Sequence, residues 1–145
     1  MKAIRHMGIV VSDMEKALYF YRDLLGLKIV KDMNEKGQYI DKILNLHDVA
    51  VRTVKIAADD GNLIELLFFE SHPAAKHKVK EMHGIGCSHV AFTVENLDAD
   101  YERLRNGGIV FNSSPQYSPD DYAKVAFCKD PDGTLIELVE VLSKS

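Results

Sequence analysis

Two stretches of this chain occur twice, in the same order, and that duplication limits the fold more than any other feature. HMGIVVSDM (His6 to Met14) is answered by HVAFTVENL (His89 to Leu97), and DGNLIELL (Asp60 to Leu67) by DGTLIELV (Asp132 to Val139). The first pair reads as a His, an alternating apolar strand, a polar cap and an apolar residue. In the second pair Asp, Gly, Leu, Ile, Glu and Leu recur at matching places. A chain that encodes one structural unit twice must build its core from two like halves.

The segments between these anchors also correspond. Ser12 followed by Glu15 forms a capping box, and Met14, Ala17, Leu18, Tyr21, Leu24 and Leu25 fall at helical spacing before Gly26, which suits a C-terminal cap. In the second half Asn96 caps, Leu97, Tyr101 and Leu104 carry the stripe, and Gly107-Gly108 end it. Strand-like runs follow: 27–30 and 51–57 in the first half, 109–111 and 124–128 in the second. Each half thus reads strand, helix, strand, strand, strand. We expect one domain over 1–145, with module one at 1–70, a linker at 71–85 that includes a short helix, and module two at 86–142. Gln38 to Leu46 is an insertion in the first module, expected to form a short helix near the pocket.

Side chains alternate faces along a strand. Ile4, His6, Gly8 and Val10 share one face; Ile64, Leu66 and Phe68 share the face opposite Leu63, Glu65 and Leu67. The large apolar residues must bury against the helices, as must Val90, Phe92 and Val94 in the second half. By elimination His6, Glu65, His89 and Glu137 point away from the helices. A Glu between apolar strand neighbours is costly to bury unpaired. Taken singly, each of the four is an ordinary core or surface residue. Taken as two His-strand and Glu-strand pairs in register, they point to a shared cation. Two imidazoles and two carboxylates suit one divalent ion of the Zn, Ni, Co, Mn or Fe type.

Composition excludes several other roles. Of 145 residues 46% are hydrophobic and 28% charged, the balance of a soluble globular domain, and the net charge of -4 offers nothing to nucleic acid or an anionic membrane. The apolar run after Met1 is too short for a signal peptide core, no small-residue cleavage site follows it, and no stretch has transmembrane length. Cys87 and Cys128 match no zinc or redox spacing and read as free thiols, core or pocket-lining, in a reducing cytoplasm.

HMGIVVSDMEKALYFYRDLLGLK, GCSHVAFTVENLDA and CKDPDGTLIELVE resemble the most characteristic segments of the vicinal oxygen chelate superfamily, which includes lactoylglutathione lyase, methylmalonyl-CoA epimerase, extradiol dioxygenases and fosfomycin-resistance proteins. The resemblance covers nearly the whole chain. It implies an α+β fold of two tandem βαβββ modules whose sheets form a cupped, incomplete mixed β-barrel with helices outside. It also implies metal ligands at His6, Glu65, His89 and Glu137, with Glu137 and Glu65 as catalytic candidates and Glu137 favoured as base. Two His and two carboxylates match the lyase and epimerase branches rather than dioxygenases or fosfomycin-type transferases. The last strand looks lyase-like and the linker epimerase-like; the linker also points to both modules pairing within one chain. The chemistry expected is that of a divalent-metal-dependent lyase or isomerase of glyoxalase type. Alternatives are an acyl-CoA epimerase of the methylmalonyl-CoA type and a non-catalytic small-molecule (antibiotic-type) binding protein. A small-molecule substrate (a thiol adduct or an acyl-CoA) and a homodimer complete the expectation.

Other residues read as follows. Lys55 and Lys124 sit on third strands and are candidates to reach the pocket, against the plainer reading of exposed edge lysines. Arg5 and Arg52 face away from the proposed ligands. His72, His77 and His83 belong to a solvated linker, and His47 to a turn. Tyr117 and Tyr122 bracket a polar loop that is a candidate for closing over the pocket. Asp130 to Gly133 forms a turn whose role is to set the register that aims Glu137.

Overall fold

The computed structural model describes residues 1–75 and 82–142. The chain divides into two compact units, Met1–Lys76 and His77–Ser145. Of the predicted linker, residues 71–75 and 82–85 form bends and turns without a helix, and the remainder, with His77, lies outside the described residues. Unit one contains β1 (Met7–Val10), α1 (Met14–Leu18), β2 (Lys28–Lys36), α2 (Gln38–Leu44), β3 (Ala50–Ala57) and β4 (Leu63–Phe69). Unit two contains β5 (His89–Thr93), α3 (Leu97–Asn106), β6 (Gln116–Tyr117), β7 (Ala123–Lys129) and β8 (Leu135–Val141). The sheets have the same topology: β1-β4-β3-β2 in one, β5-β8-β7-β6 in the other. In each the first and last strands run side by side in parallel and the remaining pairings are antiparallel. This is the α+β fold of paired βαβββ modules that the duplication implies.

Each sheet buries one face against its helix. In unit one Ile9, Val54, Ile56, Ile64 and Leu66 pack with Met14, Ala17, Leu18, Phe20 and Tyr21; in unit two Ala126, Cys128, Ile136 and Leu138 pack with Leu97 and Leu104. The helices begin as the sequence implies only in part. Asn96 caps α3, its side chain accepting from the Ala99 N–H at 3.0 Å. At α1 the cap is Asp13 rather than Ser12: its Oδ1 accepts from the Lys16 N–H at 3.0 Å. Starting one residue later makes Met14 the first helical residue and sends it into the core. It also releases Glu15 from a capping box to meet Arg52, 2.9 Å away. Beyond Leu18 the helix widens into a π-helical segment, Tyr19–Leu24, in which the Leu25 N–H reaches back to the Phe20 carbonyl at 2.9 Å. That wide turn accommodates both Phe20 and Tyr21 inside the core, edge to face with centroids 4.9 Å apart.

Two second-module expectations change. Residues 109–111 form only an isolated bridge, Phe111 to Cys128; the fourth strand is the short β6, paired through Gln116↔Val125 and Tyr117↔Lys124. The run 109–111 carries apolar residues but lies directly against the two-glycine helix stop. In module one β2 extends well past residue 30, because Lys31 to Lys36 continue pairing with β3 despite their polarity. The insertion does form α2. It lies over the face of unit one that carries Leu67 and Phe69, where Ile40, Val49 and Val51 form a second core with Leu44, Leu46, Leu67 and Phe69.

Candidate metal centre

The duplicated strands place one His and one Glu together in each unit by the same register. In unit one Gly8 lies opposite Glu65, and His6 stands two residues before Gly8. In unit two Ala91 lies opposite Glu137, and His89 stands two residues before Ala91. A two-residue step preserves the face, so each imidazole shares a face with its glutamate. The distances agree: His6 Nε2 to Glu65 Oε2 is 3.0 Å, and His89 Nε2 to Glu137 Oε2 is 3.0 Å. All four side chains are partly accessible, between 15% and 32%. The faces are those the alternation assigned, with Ile64, Leu66, Ile136 and Leu138 turned to the helices.

The donors fit a divalent ion. Nitrogen and oxygen ligands each about 2.0–2.2 Å from one ion, at ordinary ligand angles, stand about 3 Å apart, the separation found in both pairs. The pairs are open toward solvent, as an ion and a substrate require. Among the described residues no third His, Cys, Asp or Glu joins either pair within its unit. Each unit thus brings together one His and one Glu.

The surroundings of the two halves differ. Lys55, opposite Glu65 in the β3–β4 register, puts Nζ 3.3 Å from Glu65 Oε1. The equivalent position opposite Glu137 is Phe127, whose ring meets His89 edge on at 5.2 Å. His89 Nδ1 shares a hydrogen with Ser88 Oγ at 2.7 Å, whereas His6 Nδ1 is buried without a hydrogen-bond partner. Leaving such an atom unpaired costs about 1–3 kcal/mol. Ser88 and Phe127 were not singled out from the sequence. Phe127 was legible there, as the residue one register step across from Glu137; Ser88 adjoins its histidine but carries no pattern.

The two candidate lysines separate. Lys55 faces the site. Lys124 points the other way, buried against α3 with Nζ 2.7 Å from Asp98 and 3.5 Å from Glu140, and over the Tyr117 ring. It is neither a pocket residue nor an exposed edge lysine. One residue along a strand reverses the face, and Val125 rather than Lys124 shares the side of Phe127. Arg52 likewise lies on the helix side, on Glu15 and Asp32. The loop between Tyr117 and Tyr122 is a hairpin turn: Ser118 N–H donates to the Ala123 carbonyl at 2.8 Å, and Ser118 Oγ to Asp120 Oδ1 at 2.6 Å. The expected turn before β8 is present. Buried Asp130 accepts from the Asp132 and Thr134 N–H groups at 2.9 and 2.8 Å, and Gly133 takes φ +87. Unit one repeats it with Gly61 at φ +84. These left-handed positions are open to glycine at little strain, and they set the strands that carry the two glutamates.

Residues 3–138 match the family model of the glyoxalase/bleomycin resistance protein/dioxygenase superfamily. The chain belongs to this superfamily. A probable lactoylglutathione lyase of Synechocystis is 29% identical over 139 residues, 96% of this chain and 95% of that protein. An uncharacterized protein of Bacillus subtilis, YwkD, is 28% identical over 143 residues, 97% and 98% of the two chains. The crystal structure of a glyoxalase family protein from Bacillus cereus superposes with a TM-score of 0.89 at 26% identity, covering 99% of this chain and 96% of that one. No described helix is long and apolar enough to cross a membrane.

Proposed function

We propose that the two His–Glu pairs together hold one divalent metal ion, and that the protein is a lyase or isomerase of glyoxalase type acting next to a carbonyl. The observation that carries this reading is the repeated pair itself: His and Glu 3.0 Å apart, at the same register, in both units. Its likeness to a probable lactoylglutathione lyase over nearly the whole chain supports the branch.

A bound ion would act as a Lewis acid for the substrate oxygen that gains charge as a proton leaves the neighbouring carbon. His6 and His89 would hold it as neutral ligands, Glu65 and Glu137 as anionic ones. Glu137 is the carboxylate we assign to take the proton from carbon and return it at the adjacent position. The apolar cluster of Ile40, Val49 and Val51 covers one end of the unit-one face. A homodimer belongs to the same reading, supported by exposed apolar side chains such as Ile4, Val10, Val30 and Ile43.

The test is metal analysis of purified protein beside the His89→Ala variant, followed by a substrate panel. We expect bound divalent metal in the wild type, its loss in the variant, and turnover of the methylglyoxal–glutathione hemithioacetal. A protein that takes up no metal sinks the enzyme reading in favour of a binding role. Epimerisation of a 2-methyl-branched acyl-CoA, with the hemithioacetal untouched, moves the protein to the epimerase branch.

A further inference from the structure

Lys31 and Lys55 face each other across β2 and β3, on the side of the unit-one sheet that carries His6 and Glu65. Residues paired across antiparallel strands share a face, and like charges directly opposite destabilise a sheet. A bulge creates this pairing. The register steps from Ile29↔Ile56 to Lys31↔Lys55 and leaves Val30 over. Without that extra residue Val30 would oppose Lys55, and Lys31 would turn to the helix side. The same step sends Asp32 to the helix side, where Arg52 holds it at 2.8 Å. That ion pair accounts for the position of Asp32 but not for a lysine at position 31.

The neighbouring charges are committed elsewhere. Lys28 meets Asp59 at 3.0 Å, and Glu35 accepts from the Thr53 hydroxyl at 3.2 Å. Glu35 also stands four residues along β2 from Lys31, about 13 Å away. Lys55 meets Glu65 at 3.3 Å and keeps donors to spare, because an ammonium has three. Lys31 is exposed, and no carboxylate among the described residues pairs with it. Lys31, Lys55 and Glu65 thus form a row across three strands, while α2 and its cluster cover the Val51 and Phe69 end of the same face. The duplication did not copy this row. In unit two Phe127 stands where Lys55 does, and β6 pairs only with Lys124 and Val125.

We propose that Lys31 and Lys55 form an anion subsite in unit one, which holds a carboxylate or phosphate group of the substrate. This rests on the glyoxalase-type reading for the rest of that substrate. With strands about 4.8 Å apart, Lys31 stands two spacings, about 10 Å, from Glu65. The subsite therefore selects substrates whose anionic group is several bonds removed from the reacting carbon. Ammonium groups act as point charges and suit either anion.

The experiment is calorimetric titration of S-methylglutathione, whose anions are carboxylates, and of acetyl-CoA, whose anions are phosphates, into zinc-loaded and metal-free protein. At least one should bind the wild type. Lys31→Gln should weaken that binding about five- to tenfold, and Lys31→Arg should restore most of it. Lys36→Gln removes the same charge from the opposite face of β2 and should change affinity less than about twofold. Urea midpoints should show Lys31→Gln no less stable than wild type, since it removes a repulsion. Tighter binding of S-methylglutathione identifies a carboxylate subsite, tighter binding of acetyl-CoA a phosphate subsite, and similar binding of both a subsite that accepts either. Equal weakening by Lys36→Gln, no weakening by Lys31→Gln, a loss of stability in Lys31→Gln, or failure of both ligands to bind overturns the subsite. Protein that binds no zinc but keeps the Lys31 dependence overturns the metal reading alone.

Discussion

The Cys128 thiol lies on β7 with no accessible surface, between the sheet of unit two and its helix. Burial penalises the thiolate, and the Asp130 carboxylate adds to the penalty, so the thiol is pushed up to about 12. It therefore stays protonated throughout the neutral range. Cys87, by contrast, is exposed. We expect a thiol reagent at pH 8 to modify one cysteine per native chain and two in denaturant, and Cys87→Ser to abolish the native reaction. Modification of Cys128 in the folded protein, read by mass spectrometry, would contradict this. The sequence treats both cysteines alike, as core or pocket-lining. That holds for Cys128 and fails for Cys87, because alternation along a strand fixes the face of the first while Cys87 lies before β5 and outside any periodic pattern. At this scale the His–Glu faces were legible for the same reason, and the partners of Lys55 and Lys124 were not.

At the scale of elements, α1 and α3 are each tied to the third strand of their sheet by one cation. Arg52 on β3 bonds Glu15 of α1 at 2.9 Å and Asp32 of β2 at 2.8 and 3.0 Å; Lys124 on β7 bonds Asp98 of α3. The duplication extends to this fastening, although the sequence showed no ion pair at either place. The Arg52 guanidinium, bonded to Asp32, holds that carboxyl below the usual aspartate range. A depressed folded pKa contributes stability that is present above the unfolded value and lost as pH falls through the folded one. Asp32→Asn should therefore lower stability at pH 7 by roughly 0.5 kcal/mol, as befits a partly exposed pair. The gap to wild type should close below about pH 4, where the unfolded-state aspartate protonates. Urea midpoints at pH 7, 5 and 3.5 measure it; a gap that widens on acidification would reverse the assignment. On the other face, Ile40 of α2 is 5% accessible and seated among Val49, Val51, Leu44 and Phe69. Ile40→Ala should cost about 2–4 kcal/mol in the same unfolding measurement. Loss under about 1 kcal/mol would mean that α2 is not fastened to the sheet as described.

For the whole molecule the proposed centre makes a demand on stoichiometry. If the two pairs share one ion, zinc titration by calorimetry should end at one ion per chain, and His6→Ala and His89→Ala should each remove binding altogether. Zinc at a hundredfold excess over its dissociation constant should then raise the unfolding free energy by about 2.7 kcal/mol in the wild type, and in neither variant. Two ions per chain, with each variant retaining one, would mean that each pair binds alone.

The sequence by itself determined the unit of construction. Two matched pairs of anchors, read with strand alternation, were enough to give the βαβββ order, the helix-facing residues and the four candidate ligands, because these depend only on local period and on an apolar face needing cover. Tertiary structure decided what the repeat could not encode. The pairing of Lys55 with Glu65 and of Phe127 with His89 depends on register between strands distant in sequence, and so do Arg52 and Lys124 as helix ties. The short β6 and the cap at Asp13 likewise became visible only in the fold. The repeat made the two halves of the candidate site alike; contacts across strands made them different.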